Sequence, residues 1–428
     1  MLYVMEQSSK KFKIVTLGCR TNQYEGHGYT NQLEALGYSP VQEGEEAELC
    51  IVNTCTVTQS ADAHSRQAIN KLHRENPKAK IVVTGCYVEN NRETVTKLPG
   101  VLKVVPNLKK EDLVSDLFPD LEVPEFAIKH FASNTRAFVK VQDGCNSFCT
   151  YCVIPYVRGR SRSRTIEEVV RECSDLIANG FKEIVLTGIN IGDFDGAKDS
   201  NQKDTLADLI RACDALPGLE RLRVSSIDPD EVDEDLQDAI LNGRKTCPSM
   251  HIVLQSGSNV ILKRMNRKYT RQIFLETVER LTKAAPSFTF TTDIIIGFPG
   301  ETEQDFQETL AVMEEVQFAK VHMFPYSDRP RTRSNLMPNK VDRETINSRK
   351  AHLLRLAEKQ AYHLRQHFLQ EEMTVLTESF DAHRSDGIFG HTENFLPVWI
   401  PHFKQSNQLV KVKLVENTPE GFIGSILS

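Results

Sequence analysis

Short β-branched runs alternate with polar-apolar helical stretches twice along this chain, and that alternation restricts its fold more than any other feature. From "KIVTLGC" to about Leu117, the runs "KIVTLG", "AELCIVNT", "KIVVTG" and "VLKVVPN" are separated by stretches such as "NQLEALG" and "HSRQAINKLHREN". Strands spaced by helices pair in parallel, so this part predicts an α/β domain built on a doubly wound parallel sheet. A looser, Pro-containing stretch, "FPDLEVPEFAIKHFASNTR", reads as a domain boundary. Beyond it come six candidate strands, "AFVKVQ", "EIVLTG", "RLRVSS", "HIVLQS", "FTFTTDIIIG" and "KVHMFPYS", with helices between them. That number falls short of a closed eight-unit barrel and predicts an incomplete (β/α)6 barrel. One of its helices opens on a capping box, Thr165 with Glu168.

From about Val341 to Glu372 the chain has neither proline nor glycine, which predicts one long helix. The pieces "VLTES", "NFLPVWI", "LVKVKLV" and "GFIGSIL" then predict a small all-β barrel. The expected domains are 11–125, 131–365 and 366–428. No stretch approaches the roughly 20 apolar residues a membrane-spanning helix needs, and no secretory leader is evident at the start. The expectation is a soluble cytoplasmic protein with no membrane partner. A formal net charge of -6 means that a polyanionic partner must be met by local basic patches.

Ten cysteines in a reducing compartment are better placed for metal or redox chemistry than for disulfides. Cys145, Cys149 and Cys152 stand in one short turn, "CNSFCTYC". A structural zinc site closes with four protein ligands, and this turn supplies three. Three thiolates on a four-iron cubane would leave one iron open to a small molecule. Spacing alone leaves both metals possible. Cys19, Cys55 and Cys86 each follow the last residue of a predicted strand, where ligands gather in open α/β sheets, so they can converge on one site. Cys50, Cys173, Cys213 and Cys247 read as buried structural thiols.

"CNSFCTYC" resembles the Cys-x3-Cys-x2-Cys signature of radical S-adenosylmethionine enzymes. "LGCRTNQYE", "VNTCTVT" and "VTGCY" resemble the three cysteine motifs in the amino-terminal domain of methylthiotransferases. "VIPYVRGRSRSR", "LTGINIGDF", "LQSGSNVILKRMNRKYT" and "TTDIIIGFPGETEQDF" resemble their central domain, and the β-rich end resembles the small TRAM barrel of that family.

The resemblance implies two [4Fe-4S] clusters. One, on Cys145, Cys149 and Cys152, binds S-adenosylmethionine and breaks its carbon–sulfur bond, so that a 5′-deoxyadenosyl radical takes hydrogen from an unactivated carbon. An auxiliary cluster on Cys19, Cys55 and Cys86 presents a methylated sulfur to the substrate radical. Two S-adenosylmethionine molecules are used per turnover, and an electron donor is required. By the same resemblance Tyr151 lies against the adenine and Gly188 receives the methionine amino group. Ser225, Ser226, Gln255 and Asp293, read as polar residues at later strand ends, complete the expected cofactor site.

The alternating Arg158, Arg160, Arg162 and Arg164, with "LKRMNRKYTR" and "DRPRTRSN", are the basic segments available to phosphates. Arg158, Arg160, Arg331 and Arg333 are the expected tRNA contacts. Within the family, "LGCRTNQYE", "LTGINIGDF" and "RMNRKYT" look closest to the branch acting on carbon 2 of N6-threonylcarbamoyladenosine at tRNA position 37. The alternatives are isopentenyladenosine in tRNA, a ribosomal-protein aspartate, or a non-enzymatic, metal-stabilised RNA-binding protein. Two departures from the family pattern stand out. The loop Ser327–Asn335 lacks the family's Gly-Thr-Pro-like sequence, and Glu371, Glu372, Glu378 and Asp381 make the start of the β tail acidic.

Overall fold

The computed structural model describes residues 10–128, 135–198, 203–381 and 384–427, and the chain separates into two compact units. The first contains residues up to 131 together with 152–160, and the second contains 132–151 and 161–428. The expected boundary at 131 and the end at 428 lie outside the described residues. No helix among the described residues is long and apolar enough to cross a membrane.

In the first unit, β1 (Lys11–Thr16), α1 (Arg20–Ala35), β2 (Ser39–Pro40), β3 (Leu49–Thr54), α2 (Gln59–Glu75), β4 (Lys80–Gly85), α3 (Cys86–Thr96), β5 (Val101–Val104) and α4 (Leu113–Leu117) follow in order. The strands form one parallel sheet in the order β2-β1-β3-β4-β5. Every residue of the central strand β3, "LCIVNT", is buried, as expected for a strand covered on both faces. Its alternation divides the core. Cys50 and Val52 pack with Ile69 and Leu72 of α2 and Tyr87 and Val88 of α3, while Leu49 and Ile51 pack with Tyr29 and Leu33 of α1 and Leu113 and Val114 of α4. Cys50 is thus a core residue, as its apolar neighbours predict.

The second unit runs through β6 (Arg136–Lys140) and β7 (Gln142–Asp143). The short helix α5 (Ile154–Val157) that comes next belongs to the first unit. The chain then returns through β8 (Arg162–Ser163), α6 (Ile166–Ala178), β9 (Glu183–Thr187), α7 (Leu206–Asp214), β10 (Arg221–Val224), α8 (Glu234–Leu241), β11 (Ser249–His251), α9 (Asn259–Arg264), α10 (Arg271–Ala284), β12 (Thr289–Ile296), α11 (Glu303–Val316) and β13 (Lys320–Pro325). Two parallel three-stranded sheets, β6-β9-β10 and β11-β12-β13, are joined by the bridges Leu222↔Thr246 and Ile227↔Ile252. This is the open six-strand barrel. The capping box at Thr165 is present on α6.

"HIVLQS" does not form the expected strand. Only Ser249–His251 is regular, and the chain then meets β12 again by a single bridge at Gln255, whose φ of 61° breaks the ladder. Cys173 and Cys213 are buried core residues on α6 and α7, and Cys247 is buried below them in the sequence, after β10.

After α12 (Arg343–Gln366), shorter than the predicted helix, come β14 (Glu372–Asp381), β15 (Arg384–Thr392), β16 (Pro397–Pro401), β17 (Leu409–Asn417) and β18 (Phe422–Ile426). They close into a barrel in the order β14-β15-β16-β18-β17. Strand β15 is absent from the sequence reading because "DGIFG" carries turn-like glycines. Both are forced by packing: a Cβ on Gly387 would stand 2.4 Å from Ile400 O, and one on Gly390 2.3 Å from Leu376 O.

This small barrel is bonded to the amino ends of the larger barrel's strands. Arg221 and Arg223 of β10 donate to the carbonyls of His391 (3.0 Å), Thr392 (3.0 Å) and Glu393 (2.9 Å), and Arg136 of β6 pairs with Glu378. Glu378 therefore faces inward rather than adding to an acidic surface. The side chain of Asp381 lies outside the described set.

Candidate active site

The first unit places its cysteines by strand topology. The order β2-β1-β3 reverses direction between β1 and β3, which opens a crevice at their carboxyl ends. Cys19 caps α1 just after β1, Cys55 follows β3, and Cys86 opens α3 directly after β4. Two glycines bring these turns together. Gly18 (φ 95°) leaves no room for a Cβ, which would fall 2.8 Å from Cys55 Sγ. Gly85 (φ 96°) presses against β3, where a Cβ would stand 2.4 Å from Thr54 O. Cys55 and Cys86 are buried and Cys19 is exposed. Burial pushes the Cys55 thiol up to about 11 and raises that of Cys86, with Arg158 opposing both shifts.

Polar side chains line these turns. Asn22 Nδ2 donates to Leu17 O (2.6 Å) and Thr54 O (3.1 Å), and its Oδ1 stands 3.8 Å from Cys19 Sγ. Asn107 Nδ2 lies 3.6 Å from Cys86 Sγ. Ser65 holds both the N–H (3.2 Å) and the carbonyl (2.9 Å) of Cys55. Sequence reasoning passed over Asn22, Ser65 and Asn107, although Asn22 lies inside "LGCRTNQYE".

The second trio has a hydrogen-bond donor on every sulfur. Cys145 Sγ accepts from Ser147 N (3.4 Å), Cys152 Sγ from Ile154 N (3.4 Å), and Cys149 Sγ from Arg267 Nη1 (3.0 Å). Arg267 is itself held by Asp228. The turn between the thiols is tight: Phe148 is left-handed at φ 49°, and Asn266 Nδ2 donates to its carbonyl at 3.2 Å. Tyr151 meets Phe298 edge-on with ring centroids 6.4 Å apart, beside a cluster of Ile261, Met265 and Ile295.

Gln142, buried and unremarked in the sequence, joins the cysteine turn to the end of β9. Its Oε1 accepts from Ile189 N (2.9 Å) and Asn190 N (3.0 Å), and its Nε2 donates to Gly144 O (2.8 Å) and Ser161 Oγ (2.7 Å). Gly188 leaves room for this arrangement: a Cβ there would lie 2.9 Å from Gln142 Oε1 and push the amide aside.

Ser225 is buried just after β10, Ser226 is half-buried beside it, and Gln255 N–H bonds Asp293 O at 2.8 Å. The Ser225 hydroxyl and Gln255 Oε1 are buried without a hydrogen-bond partner among the described residues, as polar atoms waiting for a ligand would be. Asp293 is not at a strand end. It lies mid-way along β12, with Oδ1 3.4 Å from His251 Nε2, because the strand continues to Ile296.

The alternating arginines part company. Arg158 is buried in the first unit, so it cannot be a surface phosphate contact as expected. Arg164 bonds Glu172 and Lys140 O, Arg162 is 3.5 Å from Asp143, and Arg160, Arg331 and Arg333 are exposed.

Comparison with known proteins agrees with these features. Residues 139–313 match the radical SAM superfamily, and 11–106 match a family described as uncharacterized protein family UPF0004. A threonylcarbamoyladenosine tRNA methylthiotransferase MtaB of Chlamydia pneumoniae is 46% identical over 97% of this chain and 98% of its own. The chain belongs to the radical S-adenosylmethionine methylthiotransferase family. The Bacillus subtilis MtaB is 35% identical over 94% of this methylthiotransferase and 93% of its own length. A tRNA-2-methylthio-N(6)-dimethylallyladenosine synthase of Alkaliphilus oremlandii is likewise 35% identical, over 95% of this chain and 91% of its own. Among solved structures, the radical S-adenosylmethionine methyltransferase TsrM of Kitasatospora setae shares the fold, with a TM-score of 0.56 at 16% identity over 77% of each chain.

As a radical enzyme of this family, the methylthiotransferase uses S-adenosylmethionine and an iron–sulfur group. Its residues fit that group. A thiolate needs donors to stabilise its charge, and each of the three sulfurs from Cys145 to Cys152 has one.

Proposed function

We propose that this enzyme transfers a methylthio group to carbon 2 of N6-threonylcarbamoyladenosine at position 37 of tRNA, with two four-iron clusters. The observation that carries the reading is the hydrogen-bond donor on each sulfur from Cys145 to Cys152, beside three further cysteines that each follow the carboxyl end of a strand. When bound, the clusters supply the electron that splits S-adenosylmethionine and the sulfur that is transferred.

The chain's own residues hold and orient. Cys145, Cys149 and Cys152 take one cluster, and Cys19, Cys55 and Cys86 take the other. Arg267 keeps a positive charge on Cys149. Gln142 fixes the backbone at Gly188 so that its polar groups face the methionine end of the cofactor, while Tyr151 offers an aromatic face to the adenine. Ser225, Ser226 and Gln255 supply polar atoms along the same rim, and Asp293 supplies its carboxylate from within β12. Arg160, Arg331 and Arg333 meet phosphates. The working domains are 11–125, 131–365 and 366–428, and the enzyme acts in the cytoplasm with an electron donor of the cell.

The choice of substrate rests on the 46% identity to a relative named for threonylcarbamoyladenosine, against 35% for one named for dimethylallyladenosine. Mass spectrometry of tRNA nucleosides from cells lacking the gene tests it. Loss of 2-methylthio-threonylcarbamoyladenosine is expected. An unchanged level, or loss of the dimethylallyl product instead, would overturn the assignment.

A further inference from the structure

The stretch that leaves Cys152 carries Arg158, whose side chain is entirely buried within the first unit and is the largest so enclosed among the described residues. Its guanidinium donates to Asn22 Oδ1 and approaches Glu25 Oε1 at 3.3 Å. Lys110 Nζ meets the same Glu25 oxygen at 2.5 Å. Glu25 also accepts from Asn53 Nδ2 at 2.9 Å, so it is tied to the end of β3 just before Cys55.

Asn22 is the residue that holds the carbonyls of Leu17 and Thr54, one before Cys19 and the other immediately before Cys55. One position ahead of Arg158, the carbonyl of Val157 accepts from Asn107 Nδ2 at 2.8 Å, and that nitrogen is the one facing Cys86 Sγ. The dipeptide Val157–Arg158 therefore touches, through Asn22 and Asn107, the turns of all three cysteines of the first unit.

We infer that Arg158 is a positioning residue for the cluster held by Cys19, Cys55 and Cys86, fixing two of its turns through Asn22 and adding a buried positive charge beside its sulfurs. The inference rests on the reading above that these cysteines hold a cluster. Two physical points carry it. A guanidinium out of water is tolerated only where hydrogen bonds and opposite charge meet it, and its planar fork reaches Asn22 and Glu25 together, which lysine cannot reproduce. A carboxylate shared by two cations also suits a place where three thiols give up their protons to metal, since the new negative charge meets cations already in place. Arg158 stands six residues beyond Cys152, so ordering of that stretch and filling of the first unit's cysteine site are coupled through the chain itself.

The test uses the full chain with Cys145, Cys149 and Cys152 changed to alanine, so that bound iron reports on the other trio alone. Iron and sulfide per chain are measured after anaerobic reconstitution, the midpoint potential by redox titration followed by electron paramagnetic resonance, and folding by circular dichroism. Arg158→Met is expected to lose at least half of the parent's iron and to lower the potential of what remains, with Arg158→Lys recovering the potential but only part of the iron. Should the methionine variant not fold, Asn22→Ala removes the same link without burying a new apolar chain, and an iron loss of at least twofold is expected there. Parent-like iron and potential in Arg158→Met, or parent-like iron in Asn22→Ala where it is the deciding variant, overturns the inference while leaving the two-cluster reading intact. A parent chain that takes up no iron overturns both.

Discussion

Glu183 Oε1 accepts from Arg223 Nε at 2.8 Å in the floor of the six-strand barrel, where Glu183 is fully enclosed and also meets Arg136 and Arg221. The register dictates the meeting, since Arg136 and Arg221 are the parallel-sheet partners of Glu183 on either side. Burial alone would raise this carboxyl, but Arg223, Arg136 and Arg221 together hold it down to about 2.

Glu183→Gln is therefore expected to destabilise the protein by about 3–5 kcal/mol, because three buried guanidinium groups lose their common counter-charge. The folded pKa lies below the unfolded value, so the stabilisation is full above about pH 4.5 and is lost as pH falls towards 2. Urea denaturation of wild type and variant checks both points, and curves that coincide at pH 7 would contradict them.

Glu231 behaves in the opposite sense. Burial, then the charge of Asp228, holds it up to about 7, while Asn190 Nδ2 bonds its Oε1 at 3.0 Å. Its ionisation costs the folded state nothing below about pH 4.5, and the cost grows to its full value above pH 7, on the order of 3 kcal/mol at most. Glu231→Gln keeps an acceptor for Asn190 and is expected to raise the melting temperature at pH 8, with the gain shrinking towards pH 5. An equal gain at both pH values would refute this.

Gly188→Ala places a methyl group 2.9 Å from Gln142 Oε1 and so disturbs the two backbone bonds that Gln142 receives from Ile189 and Asn190. Each such bond is worth about 1 kcal/mol, so loss of both would cost about 2 kcal/mol, and S-adenosylmethionine affinity should fall by up to roughly thirtyfold with folding retained. Equilibrium binding to the reconstituted enzyme measures it. Unchanged affinity would remove Gly188 from the cofactor site.

Arg160, Arg331 and Arg333 are exposed, and changing all three to Ala should weaken tRNA binding at low salt and flatten its salt dependence, by about one phosphate contact for each arginine engaged. Filter binding across a salt series reads the slope. A slope equal to that of wild type would show that these residues are not phosphate contacts.

Much of this was legible because it depends on local pattern. Strand-helix alternation marked both α/β parts, and Cys19, Cys55 and Cys86 stand just after strands as expected. What stayed hidden depends on long-range approach. Gln142 and Asn107 are ordinary amides in the sequence, and their bonds are to residues far along the chain, such as Asn190 and Val157. Arg158 misled because an arginine beside other arginines reads as a solvated strip, whereas its partners Asn22 and Glu25 lie more than a hundred residues earlier. Strand β15 was missed because Gly387 and Gly390 look like turn residues until the crowding of Ile400 and Leu376 is seen. The Gln255 kink has no local signal either, since a left-handed glutamine is visible only in the backbone.

The arginines that clamp His391, Thr392 and Glu393 deny the terminal β-barrel the freedom of a tethered module. Its distance from the opposite rim of the larger barrel is therefore fixed, so the pair is built as a caliper rather than as a weight on a leash.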